Sequence, residues 1–280
     1  MSESSKIQNL LADEVLAHYE LGLEAQRLSK RTNPIELART QEIISRYLPP
    51  PPAVIFDVGG GSGIYATWLA QQGYEVHLID PVPLHLEQAR SASQAQPDHP
   101  IASITFGDAR QLDRADASVD AVLLLGPLYH LIEQSDRLQA LREANRILKS
   151  GGLVFAVAIS RFSSLVDGLF RGYLDDPEFV EIVKGDLANG QHRNPTNNPA
   201  YFTTTFFHHP DELKAEVEAA GLVCEHLLGI EGLGKLLQNF EEHWSDPNRR
   251  ETLLQAIRWL EAEPSTLGIS SHILAVAKKE

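Results

Sequence analysis

Cysteine occurs once in the 280 residues, as Cys224. A lone thiol excludes an intramolecular disulfide and argues against a cysteine-based zinc site. In the apolar run Leu222-Val223-Cys224 it reads as a buried, inert side chain. Basic clusters are missing as well: the formal net charge is −14, with no block of Lys or Arg. Nucleic-acid partners leave a basic footprint, so duplex DNA and RNA are disfavoured as substrates. No apolar run approaches membrane-spanning length, and Met1-Ser2-Glu3-Ser4-Ser5 has no apolar signal region. Internal repeats are lacking, and the only low-complexity stretch is Pro49-Pro50-Pro51-Pro52, a stiff spacer. These absences predict a soluble, cytoplasmic protein with neither a nucleic-acid nor a membrane partner. The hydrophobic fraction of 43% and charged fraction of 22% fit an ordinary globular chain.

What the chain does have is a glycine turn. Val54-Ile55-Phe56-Asp57-Val58 is a short β-branched run, and Gly59, Gly61 and Gly63 follow at alternate positions. Ile64-Tyr65-Ala66-Thr67-Trp68-Leu69-Ala70 then shows helical spacing. Strand, glycine turn and helix form a ligand cradle, because glycine tolerates positive φ and lets backbone approach a ligand closely.

The flanking pattern is that of an α/β protein. Ile7, Leu10, Leu11, Val15 and Tyr19 recur at helical intervals ahead of the turn, and Asn33-Pro34 opens a second helix. Tyr19, Arg27 and Arg31 are placed to reach over a ligand, or else to pack and face solvent. Later strands are expected over 75–80, 101–106, 119–125, 153–159, 222–230 and 272–277. Continuous apolar strands alternating with helices argue for a parallel sheet covered on both faces. The stretch 160–210 breaks this rhythm with Asn-Gly and Asn-Pro pairs and many aromatics, as lids or binding loops do. A second insertion, 231–267, carries Leu233, Leu236, Leu237 and Phe240 as one expected helix, and Leu253, Leu254, Ile257 and Leu260 as another, stopped by Pro264.

Asp57-x-Gly59-x-Gly61-x-Gly63 resembles the first motif of class I S-adenosylmethionine-dependent methyltransferases. Asp80, closing the second strand, matches the family's ribose-binding acid; Gly107-Asp108-Ala109 matches its adenine-contacting turn. Asp120-Ala121-Val122-Leu123-Leu124-Leu125-Gly126 resembles the fourth motif. Leu148-Lys149-Ser150-Gly151-Gly152 resembles the K-P-G-G turn, with serine in place of proline. The set covers roughly 54–159 and sits nearest the small-molecule branch that includes ubiquinone and menaquinone methyltransferases.

The resemblance implies a Rossmann-like, seven-stranded, mostly parallel sheet with an antiparallel last strand, helices on both faces and helical lid insertions. It implies one methyltransferase domain over 1–280: a helical cap at 1–52, a cofactor core at 53–160, and substrate insertions at 161–210 and 231–267. S-adenosylmethionine is the expected cofactor, held by Asp57, Gly59, Gly61, Gly63, Asp80, Pro81, Asp108, Ala109 and Leu125. A small-molecule acceptor is expected beyond the carboxyl ends of the fourth and fifth strands. Tyr129 and His130 emerge there as catalytic candidates, although His130 also fits as a packing residue. Tyr19, His192 and Tyr201 are candidates for the acceptor pocket, and Glu231 lies near the same edge or in a solvated loop. His208-His209 before Pro210 suits a helix start, and no metal site is expected. Two alternatives share the glycine turn. Gly61-Ser62-Gly63-Ile64-Tyr65-Ala66 also fits a dinucleotide G-x-G-x-x-A, as in NAD(P)-binding oxidoreductases. A non-catalytic S-adenosylmethionine-binding protein would keep the same fold.

Overall fold

The computed structural model describes residues 13–20, 22, 33–196 and 198–280. Helix α1 (Asp13–Glu20) covers part of the expected leading helix. Ile7, Leu10, Leu11, Arg27 and Arg31 lie outside the described residues. Helix α2 (Asn33–Tyr47) follows where Asn33-Pro34 places it.

Strands β1 (Val54–Val58), β2 (Glu75–Asp80), β3 (Ser103–Phe106) and β4 (Val119–Leu124) run parallel, in the spatial order β3-β2-β1-β4. Helices α3 (Ile64–Gln71) and α4 (Pro83–Gln94) make the first two crossovers. After β4 come the one-turn α5 (Pro127–His130) and α6 (Gln134–Ile147), which lead into β5 (Leu148–Ser160), parallel to β4. β1 shows why such strands are apolar throughout. Ile55 enters the core layer that holds Ile43 and Ile44 of α2, Leu69 of α3 and Ala89 of α4. Its neighbour Phe56 enters the opposite layer, with Leu141 and Ala144 of α6. A strand buried on both faces has no polar side to alternate with.

The insertion at 161–210 is more ordered than its loop-like sequence suggests. It forms α7 (Ser163–Arg171), α8 (Pro177–Asn189) and a ribbon of β6 (Gln191–His192) with β7 (Thr205–His208). β7 joins β5 in parallel through the pairs Ile159↔Phe207 and Ser160↔His208. The sheet therefore has nine strands, and the expected seven is corrected. The two extra strands are short: β6 pairs with β7 inside the insertion, and β7 reaches the sheet through the end of β5. Helix α9 (Pro210–Ala219) then leads to β8 (Val223–Gly229).

The second insertion also departs from its pattern. Leu233 and Leu236 fall in a 3-10 turn, Gly232–Leu236, and Phe240 opens a separate helix, α10 (Phe240–Ser245). Asn239, at φ +56°, separates the two where one helix was expected. Helix α11 (Pro247–Leu260) matches expectation, but Pro264 opens the short α12 (Pro264–Leu267) beyond it. Phe240 and Ile257 pack on Ile35, seating this insertion on α2. Finally β9 (His272–Lys278) runs antiparallel between β5 and β8, as the resemblance implied. Cys224 is half-buried rather than buried, and burial pushes its thiol up.

A buried ionic cluster ties the first insertion to the core. Arg137 of α6 pairs with Glu216 of α9 at 2.7 Å, and His208 of β7 meets the same carboxylate at 3.2 Å. Among the described residues no helix is long and apolar enough to cross a membrane.

Candidate active site

Three adjoining cavities open at the carboxyl edge of the sheet, and the glycine turn lies between two of them. Backbone N–H groups of Gly59 and Gly60 donate to the Ile79 carbonyl at 2.8 and 3.2 Å, folding the turn against the end of β2. Gly59, Gly61 and Gly63 have φ of +67°, +56° and +83°, where a side chain is strained. Their roles differ. A Cβ on Gly59 would lie 2.6 Å from Pro127 Cγ, so this glycine lets β1 and α5 converge. A Cβ on Gly61 would meet nothing within 4 Å, leaving exposed backbone at a cavity wall. A Cβ on Gly63 would lie 3.1 Å from Ala89 Cβ, which makes this glycine a contact between α3 and α4.

The first cavity, about 100 Å³, is lined by Gly59, Gly61, Asp80, Pro81, Asp108, Ala109 and His130, among others. Asp80 accepts from Gly61 N–H at 2.9 Å on Oδ2, and from Val82 N–H at 2.8 Å on Oδ1. His85 Nδ1 lies 3.0 Å from Oδ1. A carboxylate offers about four acceptor sites, and the protein already fills three. One site on Oδ2 remains for a ligand hydroxyl, and a vicinal diol engages both oxygens only by displacing His85. His85 was not legible as a site residue; it is simply one more residue on an amphipathic helix. Asp108 is held by Arg110, which in turn reaches Asp136 at 2.7 Å.

The second cavity, about 70 Å³, is lined by Asp57, Gly60, Ser62, Leu125, Tyr129 and Glu36, among others. Asp57 is 1% exposed, and its Oδ2 has no hydrogen-bond partner among the described residues. Burial, and then the Asp80 carboxylate, push its carboxyl up to about 7.

The third cavity is the largest, about 450 Å³, and Tyr19, Tyr129, His192 and Tyr201 all stand in its wall. Tyr129 belongs to all three cavities, Tyr19 to the first and third, Glu36 to the second and third. His130 faces the first cavity instead. Its Nε2 lies 2.5 Å from Tyr19 Oη, and burial pushes it down to about 3, so it is neutral at physiological pH. His192 is clamped at both ring nitrogens, by Asp186 at 2.9 Å and the Tyr201 carbonyl at 2.7 Å. It is a wall, not a proton carrier. Tyr201 Oη donates to Asp176 at 2.6 Å.

Two polar residues of this cavity were underrated by sequence. Glu231 is 3% exposed rather than solvated. Its Oε1 lies 2.5 Å from His272 Nδ1, while Oε2 accepts from Ser270 Oγ and His272 N–H at 3.0 Å each. His272 had been legible only as the start of a strand. Glu36, Glu231 and His272 bring ligand-type atoms within 4.8 Å of one another. Burial would raise the Glu231 carboxyl, but His272 and the Lys235 ammonium outweigh it and hold it down at about 2. His209 caps α9, as its place before Pro210 suggested.

A glycine turn, an acid closing β2 and a separate, larger cavity thus adjoin at the carboxyl edge of the sheet. The methyltransferase domain family matches residues 56–156. An uncharacterized methyltransferase of Mycobacterium tuberculosis is 32% identical over 111 residues, 40% of this chain and 42% of that protein. The match thus spans under half the length of such relatives. The ubiquinone biosynthesis O-methyltransferase of Xylella fastidiosa is 32% identical over 201 residues, 71% of this chain and 70% of that protein. A crystal structure of an S-adenosylmethionine-dependent methyltransferase from Methanosarcina mazei superposes with a TM-score of 0.56 at 20% identity, covering 85% of this chain and 96% of that one. This chain belongs to the class I S-adenosylmethionine-dependent methyltransferases.

Membership selects S-adenosylmethionine over a dinucleotide as the cofactor. The residues fit it: the orphaned Asp57 carboxylate suits a ligand cation, and the bare backbone at Gly61 leaves room for close approach.

Proposed function

We propose that the protein transfers a methyl group from S-adenosylmethionine to a small molecule seated in the 450 Å³ cavity, on oxygen, nitrogen or carbon. The observation that carries this reading is the sharing of Tyr129 by the large cavity and both cavities at the glycine turn. A group bound in the large cavity would therefore lie next to the cofactor side, the proximity from which in-line displacement starts.

When bound, S-adenosylmethionine supplies an electrophilic methyl carbon on a sulfonium sulfur. Asp80 would hold the ribose of the adenosine end, beside Asp108, whose carboxylate Arg110 engages; Asp57 would face the ammonium of the amino-acid end, and Gly59 and Gly61 would let the ligand approach the turn closely. Tyr19, bridging the first and third cavities, covers the seam and excludes water. α1 is tied over this seam by Thr203 Oγ1, which donates to the Glu14 carbonyl at 3.2 Å. The wall is mixed: Tyr173, Phe179 and Phe202 supply aromatic surface, and Asp167, Glu231, Lys235 and His272 a polar end. This suits an acceptor with an apolar body and one polar reacting group, in keeping with relatives named for ubiquinone biosynthesis. The net charge of −14 weighs against a nucleic-acid partner.

The test is a metabolite screen with methyl-labelled S-adenosylmethionine, reading label on the acceptor and release of S-adenosylhomocysteine. Transfer to a small molecule is expected. Cofactor binding with no transfer across the screen would favour the non-catalytic alternative.

A further inference from the structure

His85 brings an unanswered polar atom to the cofactor cavity. It stands near the start of α4, which Pro83 opens just after the acid that closes β2. The residue is 3% exposed and lines the first cavity beside Gly61, Asp80 and Asp108. Its Nδ1 lies 3.0 Å from Asp80 Oδ1, and its Nε2 is buried with no hydrogen-bond partner among the described residues. A carboxylate only accepts, so the proton between the two groups belongs to Nδ1. The neutral ring then keeps its basic lone pair on Nε2. Tyr19 packs edge-on against this ring, with centroids 5.0 Å apart.

The state of Asp80 makes that lone pair significant. Val82 N–H and His85 Nδ1 fill Oδ1, and Gly61 N–H takes one site on Oδ2. One acceptor site remains, whereas a vicinal diol brings two hydroxyls. Opening a second site on Oδ1 would break the His85 bond and leave Nδ1 buried without its acceptor. With the pair intact, the imidazole instead offers an acceptor on the far side of its ring. His130 shares the same wall, but its Nε2 is engaged by Tyr19 Oη at 2.5 Å.

We propose that His85 is a cofactor-binding residue whose Nε2 accepts from one hydroxyl of the ribose diol, while Asp80 Oδ2 accepts from the other. The proposal rests on S-adenosylmethionine as the ligand and deepens that reading: the diol is read by a carboxylate–imidazole pair rather than by the carboxylate alone. It also defines the ligand class, a ribose with both hydroxyls free. A phosphate on either oxygen has no hydroxyl proton to give there, and it would set a negative charge against Asp80.

Titration calorimetry of S-adenosylhomocysteine and of its 2′-deoxy and 3′-deoxy analogues measures each hydroxyl separately. In wild-type protein each deletion should weaken binding about tenfold, because each leaves a buried acceptor unpaired. His85→Asn keeps an amide N–H for Asp80 Oδ1 and removes the outer nitrogen. In that variant one deletion should weaken binding less than about twofold and the other still about tenfold, and S-adenosylhomocysteine itself should bind about tenfold more weakly. A residue that merely orients Asp80 would leave both penalties as in wild type. A residue that the diol displaces would give tighter binding in the variant. Either result overturns the proposal.

A second measurement needs no variant. Long-range proton–nitrogen correlation spectra of wild-type protein, with His85 assigned through its side-chain bonds, should show the neutral ring protonated on Nδ1. The Nε2 resonance should move on binding S-adenosylhomocysteine and stay in place with one of the two deoxy analogues. A proton on Nε2, or the same resonance with all three ligands, overturns the proposal. Wild-type protein that binds no S-adenosylhomocysteine overturns instead the cofactor reading beneath it.

Discussion

Asp57 gives a quantitative handle on the cofactor site. Its carboxyl is pushed up to about 7, first by complete burial and then by the Asp80 carboxylate. At pH 6 such a group is roughly nine-tenths protonated, and at pH 8 roughly one-tenth. If the ammonium of the ligand's amino-acid end meets Oδ2, the carboxylate becomes paired and its pKa returns toward the ordinary range. Binding of S-adenosylhomocysteine should then release roughly 0.9 proton at pH 6 and roughly 0.1 at pH 8. Affinity should rise about tenfold per pH unit up to 7 and level off above it. Titration calorimetry in buffers of contrasting ionisation enthalpy reads the proton count directly. Asp57→Asn should abolish the buffer dependence. No proton release at pH 6, or release that persists in Asp57→Asn, would refute the reasoning. In the free protein the sign is opposite in effect: the raised pKa makes folding less favourable as pH rises from about 4 to 7.

Other perturbations have defined outcomes. Gly59→Ala places a methyl 2.6 Å from Pro127 Cγ at φ +67°, so thermal unfolding should show a loss of about 1–3 kcal/mol with weakened cofactor binding. Asp80→Ala strips the acceptor from Gly61 N–H, Val82 N–H and His85. At about 1–3 kcal/mol per buried group left unpaired, both stability and S-adenosylhomocysteine affinity should fall, and calorimetry showing unchanged affinity would remove Asp80 from the site. Glu216→Ala leaves the Arg137 guanidinium buried without its partner, and urea denaturation should register about 3–5 kcal/mol. The same pair has an acid limit. Burial would raise the Glu216 carboxyl, but hydrogen bonds from His208 and Arg137 outweigh it and hold it down at about 2. Its folded pKa is depressed, so its stabilisation is present above the unfolded value near 4.5 and is lost as pH falls from there toward 2. Stability of Glu216→Gln should therefore vary less with pH across that window.

That the glycine turn, Asp80 and Asp108 gather at one edge was legible because these residues are local to strand ends. A glycine turn, an acid closing β2 and an acid after β3 keep fixed offsets from the apolar runs that precede them, and those runs need no distant partner to be recognised. The acceptor half depends on pairings between segments far apart in the chain. β7 is a strand because β6 and the end of β5 both offer it an edge, and Asn239 splits an apolar series that reads as one helix. Glu231 and His272 are forty-one positions apart, so only the antiparallel pairing of β8 with β9 brings them together. His130 illustrates the converse: its position in sequence is that of a catalytic residue, while its side chain turns to Tyr19 and the cofactor cavity.

The central claim is that the turn after β1, with Asp80, holds S-adenosylmethionine. Equilibrium binding of S-adenosylhomocysteine and of NAD to the wild-type protein tests it most directly. The account predicts saturable S-adenosylhomocysteine binding that NAD does not displace. Tight NAD binding without S-adenosylhomocysteine binding would contradict it.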